Sequence, residues 1–200
     1  MVTKPAVGLI AVAGRRRATL DMAQRLEREG FTGLYCPSPG DGLALCEALA
    51  LSTREITFGT SIANIYTRHA FDYAQTAAVI HELSGGRFRF GVGVSHGPIH
   101  ERLGIQPGRP LDDIRKFVGD VVAAAPQVGA LPPLVLATLR RRMVELSARS
   151  RAAPCGPTAR GRIWQRRSTI CRRRRGATRR SSSATWCRPA STTTALRRQR

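Results

Sequence analysis

The chain has 200 residues and a formal net charge of +20, from 33 Lys and Arg against 13 Asp and Glu. That length suits one α/β domain but falls short of the roughly 250 residues usual for a complete (β/α)8 barrel. No apolar run approaches the ~18 residues of a membrane span, and Ala6–Ala13 precedes Arg15–Arg17, against the order of a secretory signal.

In chain order, Val7–Ala13 is apolar without period-2 alternation, which predicts a buried strand. Thr19 is placed to cap a helix reaching Glu29, with Leu20, Ala23 and Leu26 on one face and Gly30 as its stop. Gly33–Pro37 reads as a strand, and Asp41–Ser52 as a helix with Leu43, Cys46, Leu49 and Ala50 inward. Ile56–Ile62 is the next strand, followed by a helix Phe71–Leu83 carrying Ala74, Ala77, Ala78 and Leu83 on its apolar face. Ser84-Gly85-Gly86-Arg87 is a turn into the strand Phe88–Val94. A helix from Leu111 to Ala124, a loop Pro126–Pro133, a strand Leu134–Thr138 and a helix Leu139–Ser147 complete the series. Five β-α repeats require a parallel sheet with helices outside it. Periodicity leaves a doubly wound sheet and part of a barrel equally open.

The charge divides unevenly. Residues 1–147 hold 17 basic and all 13 acidic side chains, whereas residues 148–200 hold 16 arginines and no acid. Only Ile163, Ile170, Leu196, Trp164 and Trp186 offer large apolar surface there, too little for a core, so a disordered basic tail is expected beyond a domain of residues 1–147. Arginines of this density could hold nucleic acid non-specifically, with steep salt dependence. Few aromatics accompany them, which argues against specific nucleic-acid recognition. Five cysteines without a Cys-x-x-Cys pair argue against a disulfide framework or zinc module, and a reducing cytoplasm is the expected compartment.

Several stretches carry a family likeness. They are Leu26-Glu27-Arg28-Glu29-Gly30-Phe31-Thr32-Gly33-Leu34-Tyr35, Phe58-Gly59-Thr60-Ser61-Ile62, Tyr66-Thr67-Arg68-His69, Ala74-Gln75, Met143-Val144-Glu145-Leu146 and, most specifically, the run from Glu82 to Gly97 through Ser84-Gly85-Gly86-Arg87 and Gly91-Val92-Gly93-Val94-Ser95-His96. In order and spacing, residues 5–147 resemble the luciferase-like monooxygenase superfamily, nearest its branch using the deazaflavin coenzyme F-420. The resemblance implies an incomplete (β/α)8 TIM barrel of about five β-α units. It implies hydride transfer between coenzyme F-420 and a small organic substrate, or FMN-dependent monooxygenation. It also implies a homodimer for an intact relative, which truncation would disfavour in this chain, and an inactive product. The likeness stops near residue 147. A one-nucleotide shift of reading frame accounts for this, because Thr192–Thr194 would then conceal residues of the Asp, Glu, Asn and Lys group and Trp186-Cys187 apolar ones. Sequencing the gene around codon 148 tests the idea, and codons incompatible with that frame would refute it.

Barrel sites lie at the C-terminal ends of strands. The resemblance assigns Thr60, Ser61, Ile62, Ala63 and Asn64 to a bulge backing the coenzyme ring, with a non-proline cis peptide at Ser61-Ile62. Gly91, Gly93, Val94 and Ser95 end the fourth strand, where glycines admit close approach to a flat ring. His96 follows, readable as a proton donor to substrate or as a loop histidine facing water. After the second strand, relatives place an acid–histidine pair where this chain has Ser38 and Pro39, and Cys36 reads as a small buried residue. His69 is expected to pack or cap, and His81 to be solvated or packed on the sheet. His96 and His100 are four apart, but Gly97-Pro98 argues against the helix that a metal clamp would need, so no metal is expected.

Overall fold

The computed structural model describes residues 4–38 and 40–137, with Met143 and Leu146. The expected tail from 148 and most of the expected helix 139–147 lie outside the described residues. In chain order the elements are β1 (Val7–Gly8), α1 (Arg16–Arg28), β2 (Gly33–Cys36), α2 (Gly42–Ser52), β3 (Thr57–Thr60), β4 (Ala63–Asn64), α3 (Ala70–Leu83), β5 (Phe88–Gly93), α4 (Gly97–Leu103), α5 (Pro110–Val128) and β6 (Leu134–Leu136).

Among the described residues all strand pairs are parallel and, with β3 and β4 taken as one interrupted strand, they lie side by side in chain order. β1 pairs β2, β2 pairs β3, and β3 then β4 pair successive stretches of β5. Val92 pairs Ala63 through β4 and Leu136 through β6, so β6 occupies the opposite flank of β5. A doubly wound sheet reverses direction at a switch point. Winding one way only is the course of a barrel wall, which decides between the two architectures that periodicity left open.

Side-chain alternation sorts the wall. Phe58, Phe88, Phe90 and Val92 are fully buried, and Phe90 meets Tyr73 of α3, which meets Phe117 of α5. These side chains therefore make the layer beneath the helices, each contributing roughly 1.5–3 kcal/mol by burial. Gly59, Arg89, Gly91 and Gly93 alternate to the other face. Helices α1, α2 and α5 cover the layer with Ala23, Leu26, Leu43, Cys46, Leu49, Ile114 and Val121.

Four local expectations are corrected. β1 is two residues long, because the chain turns after Leu9 with Val12 N–H donating to Ile10 O, leaving Ile10 and Val12 46% and 50% exposed. Thr19 lies inside α1 and its hydroxyl donates back to Arg15 O at 3.1 Å, while the helix begins at Arg16 without a side-chain cap. Leu83 is 51% exposed rather than inward. α5 runs on through Pro126 to Val128, so the loop starts later than the proline suggested.

One charged side chain locks α1 to the start of β3. Glu27 of α1 accepts from the backbone N–H of Arg54, Glu55 and Ile56 at 3.0, 2.7 and 2.8 Å, fixing the entry to β3. Burial alone would raise the Glu27 pKa, but those three donors and the Arg87 charge override it and hold the group below its ordinary 4.5. A depressed carboxylate stabilises above its unfolded pKa, and that contribution fades as pH falls through the folded value. The loss of stability between about pH 5 and pH 3 is therefore expected to be shallower in Glu27→Gln than in the native chain. Urea midpoints at several pH values check this, and identical slopes would refute it. Among the described residues, no helix is long and apolar enough to cross a membrane.

Candidate active site

The C-terminal ends of β2, β3, β4, β5 and β6 open into one cleft of ≈ 2100 Å³. Register makes one of its walls. Phe58 pairs Phe88 but Ala63 pairs Val92, so the β3–β4 chain uses one more residue than β5 between the same two rungs. That extra residue is a bulge. It falls at Ser61-Ile62, whose peptide bond is cis, where the family resemblance placed it. Ser61 N–H donates to Cys36 O at 2.8 Å, Thr60 Oγ1 donates to Gly91 O at 2.6 Å, and the Ser38 hydroxyl donates to Ile62 O. The bulge is thus held from β2 on one side and β5 on the other.

Thr60, Ser61, Ile62, Ala63 and Asn64 all line the cleft. Asn64 is 3% exposed; its Oδ1 accepts from Tyr66 N–H at 3.2 Å, and its carbonyl accepts from Tyr73 Oη at 2.6 Å and Thr67 Oγ1 at 2.9 Å. Its Nδ2 is buried with no hydrogen-bond partner among the described residues. Burial pushes the Tyr73 phenol up, against the Thr67 bond and the Arg68 charge, so it remains a donor.

Gly93, Val94, Ser95 and His96 form the adjoining wall. A Cβ on Gly93 would lie 2.9 Å from Ala137 Cβ and 3.2 Å from Ile62 Cδ1, so the glycine lets the two walls meet. Gly91 is not among the lining residues. A Cβ there would lie 2.0 Å from Thr60 O, so its bareness serves strand pairing. Ser95 has φ +60°, the left-handed region that disfavours side chains. Ser95→Gly is expected to hold or raise stability by up to ~1 kcal/mol, whereas Ser95→Val lowers it by ~1–2 kcal/mol. Thermal melts of the two variants check this, and equal melting temperatures would contradict it.

The expectation of no helix after His96 is corrected. Pro98 sits in the first turn of α4, where its missing N–H costs no helical bond. His96 is the N-cap residue; its carbonyl accepts from Ile99 and His100 N–H at 3.1 and 3.2 Å. Among the described residues nothing hydrogen-bonds its exposed ring. His100 points elsewhere, with Nε2 donating to Val94 O at 2.6 Å and Tyr66 edge-on at 5.3 Å. Tyr66 in turn donates to Asp113 Oδ2 at 2.6 Å; burial first, then this bond and the Asp113 charge, push its phenol up. That chain ties α4 to α5. No group of three or more His, Cys, Asp or Glu side chains able to hold a metal occurs among the described residues.

The other singled-out residues are structural. Cys36 is fully buried beside Cys46, whose thiol is pushed up by burial and by Cys36. His69 caps α3, its Nδ1 accepting from Phe71 N–H at 3.3 Å. Burial, then the Arg89 charge, lowers the His81 pKa. Sequence reasoning passed over Asp41 and Arg68. Asp41, at φ +58° after Gly40 at +82°, caps α2 through Ala44 N–H and pairs with Arg68 Nη2 at 2.8 Å on the cleft wall. The signal available was the Gly-Asp-Gly turn, three residues past Ser38.

A strand-end cleft on a parallel sheet wound one way is the arrangement of a (β/α)-barrel wall. Residues 2–125 match the family model described as luciferase-like monooxygenase, and the chain belongs to that family. It is 28% identical over 102 residues to the 5,10-methylenetetrahydromethanopterin reductase of Methanolobus tindarius, covering 50% of this chain and 31% of that protein. The chain thus spans about a third of that relative's length. The coenzyme F-420-dependent tetrahydromethanopterin reductase of Methanopyrus kandleri superposes with a TM-score of 0.60 at 14% identity, over 74% of this chain and 53% of that one. A type II Baeyer–Villiger monooxygenase of Pseudomonas putida in complex with FMN gives 0.50 at 19% identity, over 60% and 39%. The two superpositions show shared fold.

Proposed function

We propose that the cleft seats the ring of coenzyme F-420, or alternatively FMN, in an oxidoreductase acting on a small organic substrate. One observation carries this reading most: the Thr60–Asn64 bulge and the Gly93–Ser95 strand end make two walls of one strand-end cleft, and the Asn64 amide in that lining has no Nδ2 partner among the described residues. The residues fit such a group. Ile62, Ala63 and Val94 offer apolar surface, while Ser61, Ser95 and Asn64 offer polar groups beside it. The likeness to the coenzyme F-420-dependent reductase favours the deazaflavin, and the FMN complex supports the alternative.

When bound, the coenzyme would supply the hydride chemistry. The chain's own part is positioning: Thr60 and Ser38 hold the bulge, Gly93 lets the walls close, and Tyr73 and Thr67 fix the Asn64 backbone. The His96 ring, exposed at the cleft and engaged by no described residue, is the group able to hand a proton to substrate.

Fluorescence titration of the full chain with coenzyme F-420 and with FMN tests the reading. Saturable binding in the micromolar range is expected for one of them, weakened at least tenfold in Asn64→Leu and left within about threefold in His96→Asn. Failure of both coenzymes to bind would overturn it.

A further inference from the structure

The cleft also has a charged side that the ring does not use. Its lining includes three arginines, Arg68, Arg102 and Arg109, and two aspartates, Asp41 and Asp112. Arg68 is spent on Asp41 at 2.8 Å, and Asp112 Oδ1 is taken by Arg115 Nη1 at 2.9 Å. Arg102, in the last turn of α4, and Arg109, which precedes α5, have no carboxylate within ion-pair distance among the described residues. Neither side chain hydrogen-bonds to another described group. Both flank the short α4–α5 connection, and apolar Ile99, Leu103 and Leu111 line the cleft beside them.

Two unneutralised guanidinium groups next to apolar surface match an organic anion: fork donors for a carboxylate or phosphate, and a greasy patch for the carbon part. We propose that Arg102 and Arg109 form an anion-binding subsite of the cleft, which takes the carboxylate or phosphate-ester group of an organic ligand. This rests on the proposed function in placing a ring at the Thr60–Asn64 wall, and it adds the class of substrate: one bearing an anionic group. The same chemistry could come from the coenzyme's own phosphate. The His100–Val94 and Tyr66–Asp113 hydrogen bonds hold α4 and α5 in place without using either arginine, so the two guanidiniums ride on a fixed support.

The test compares the full chain with Arg102→Gln/Arg109→Gln, in which the arginines of residues 148–200 are unchanged and cancel. Calorimetric titrations use benzoate and inorganic phosphate, and fluorescence titrations use FMN and riboflavin, which differ by a phosphate. A tenfold or greater loss of benzoate or phosphate affinity, with FMN affinity unchanged, supports a substrate anion. A comparable loss for FMN but not riboflavin supports the subsite with the coenzyme phosphate as its occupant. Unchanged affinity for benzoate, phosphate and FMN alike overturns the proposal. Failure of both FMN and coenzyme F-420 to bind the native chain removes the ring reading alone, because the benzoate comparison does not depend on it. Both side chains are exposed and uncommitted, so the variant is expected to fold, with unchanged far-ultraviolet circular dichroism as the control.

Discussion

Arg87→Met is expected to destabilise the chain by about 3–5 kcal/mol, a large share of the 5–15 kcal/mol typical of a domain. The guanidinium is the knot between α2, β3 and the turn into β5. Its Nε donates to Ser84 O at 2.8 Å, and Nη1 donates to Thr53 Oγ1 at 2.8 Å and Ile56 O at 3.2 Å. Nη2 donates to Ala50 O at 2.9 Å and Thr53 O at 3.0 Å. Ala50 O belongs to the last turn of α2, where carbonyls have no partner within the helix and the helix dipole favours a cation. The group also lies 5.2 Å above the Phe58 ring. Burial lowers the Arg87 pKa and the Glu27 charge opposes that, but an arginine stays protonated throughout the accessible range. Methionine keeps most of the apolar stem and removes every donor, so the loss reports the hydrogen bonds. Arg87→Lys is expected to restore only a part, because an ammonium cannot fork to carbonyls on two sides. Urea midpoints measure both, and a methionine variant within 1 kcal/mol of native would refute the assignment.

Gly91→Ala is expected to cost about 3 kcal/mol or more and to weaken coenzyme binding, although Gly91 does not line the cleft. The added Cβ would sit 2.0 Å from Thr60 O and 3.0 Å from Thr60 C. Those are backbone atoms of the neighbouring strand, so a rotamer change cannot relieve the clash. Separating the strands would break the 2.6 Å bond from the Thr60 hydroxyl to Gly91 O and release the bulge from β5. Gly97→Ala is the control, since nothing lies within 4 Å of its Cβ position, and it should stay within ~0.5 kcal/mol. Chemical denaturation and coenzyme titration of the two variants decide, and a Gly91→Ala chain that binds and unfolds like the control would refute the argument.

Sequence periodicity read well where burial and pattern agree. Leu43, Cys46, Leu49 and Ala50 are all buried on α2, and Phe88 and Phe90 alternate inward on β5. It misled where apolar residues stay half in water, as at Ile10 and Val12, and where proline opens a helix, as at Pro98. Strand order carries no periodic signal at all, so the choice of a barrel wall came from the family resemblance and then from the pairing itself. Of the candidate site, Thr60–Asn64 and Gly93–His96 were legible because they end strands. Asp41, Arg68, Arg102 and Arg109 were not, because loops, a left-handed turn and the unexpected helix α4 bring them to the cleft. Gly91 was seen for the right property, a bare backbone, that admits a neighbouring strand.

The one-way order of the sheet bears on how the chain acquires its shape. Each strand finds its partner among residues already made or in the next strand along: β2 pairs β1, β3 pairs β2, β4 pairs the following β5, which also pairs β3, and β6 pairs β5. Among the described residues no pairing waits for a strand from the far end. Such a sheet keeps sequence separations short and can be laid down vectorially as the chain leaves the ribosome, each βα unit templating the next. Once residues as far as Thr60 have emerged, β1, β2 and β3 can align with one another, before the second wall of the cleft has been translated.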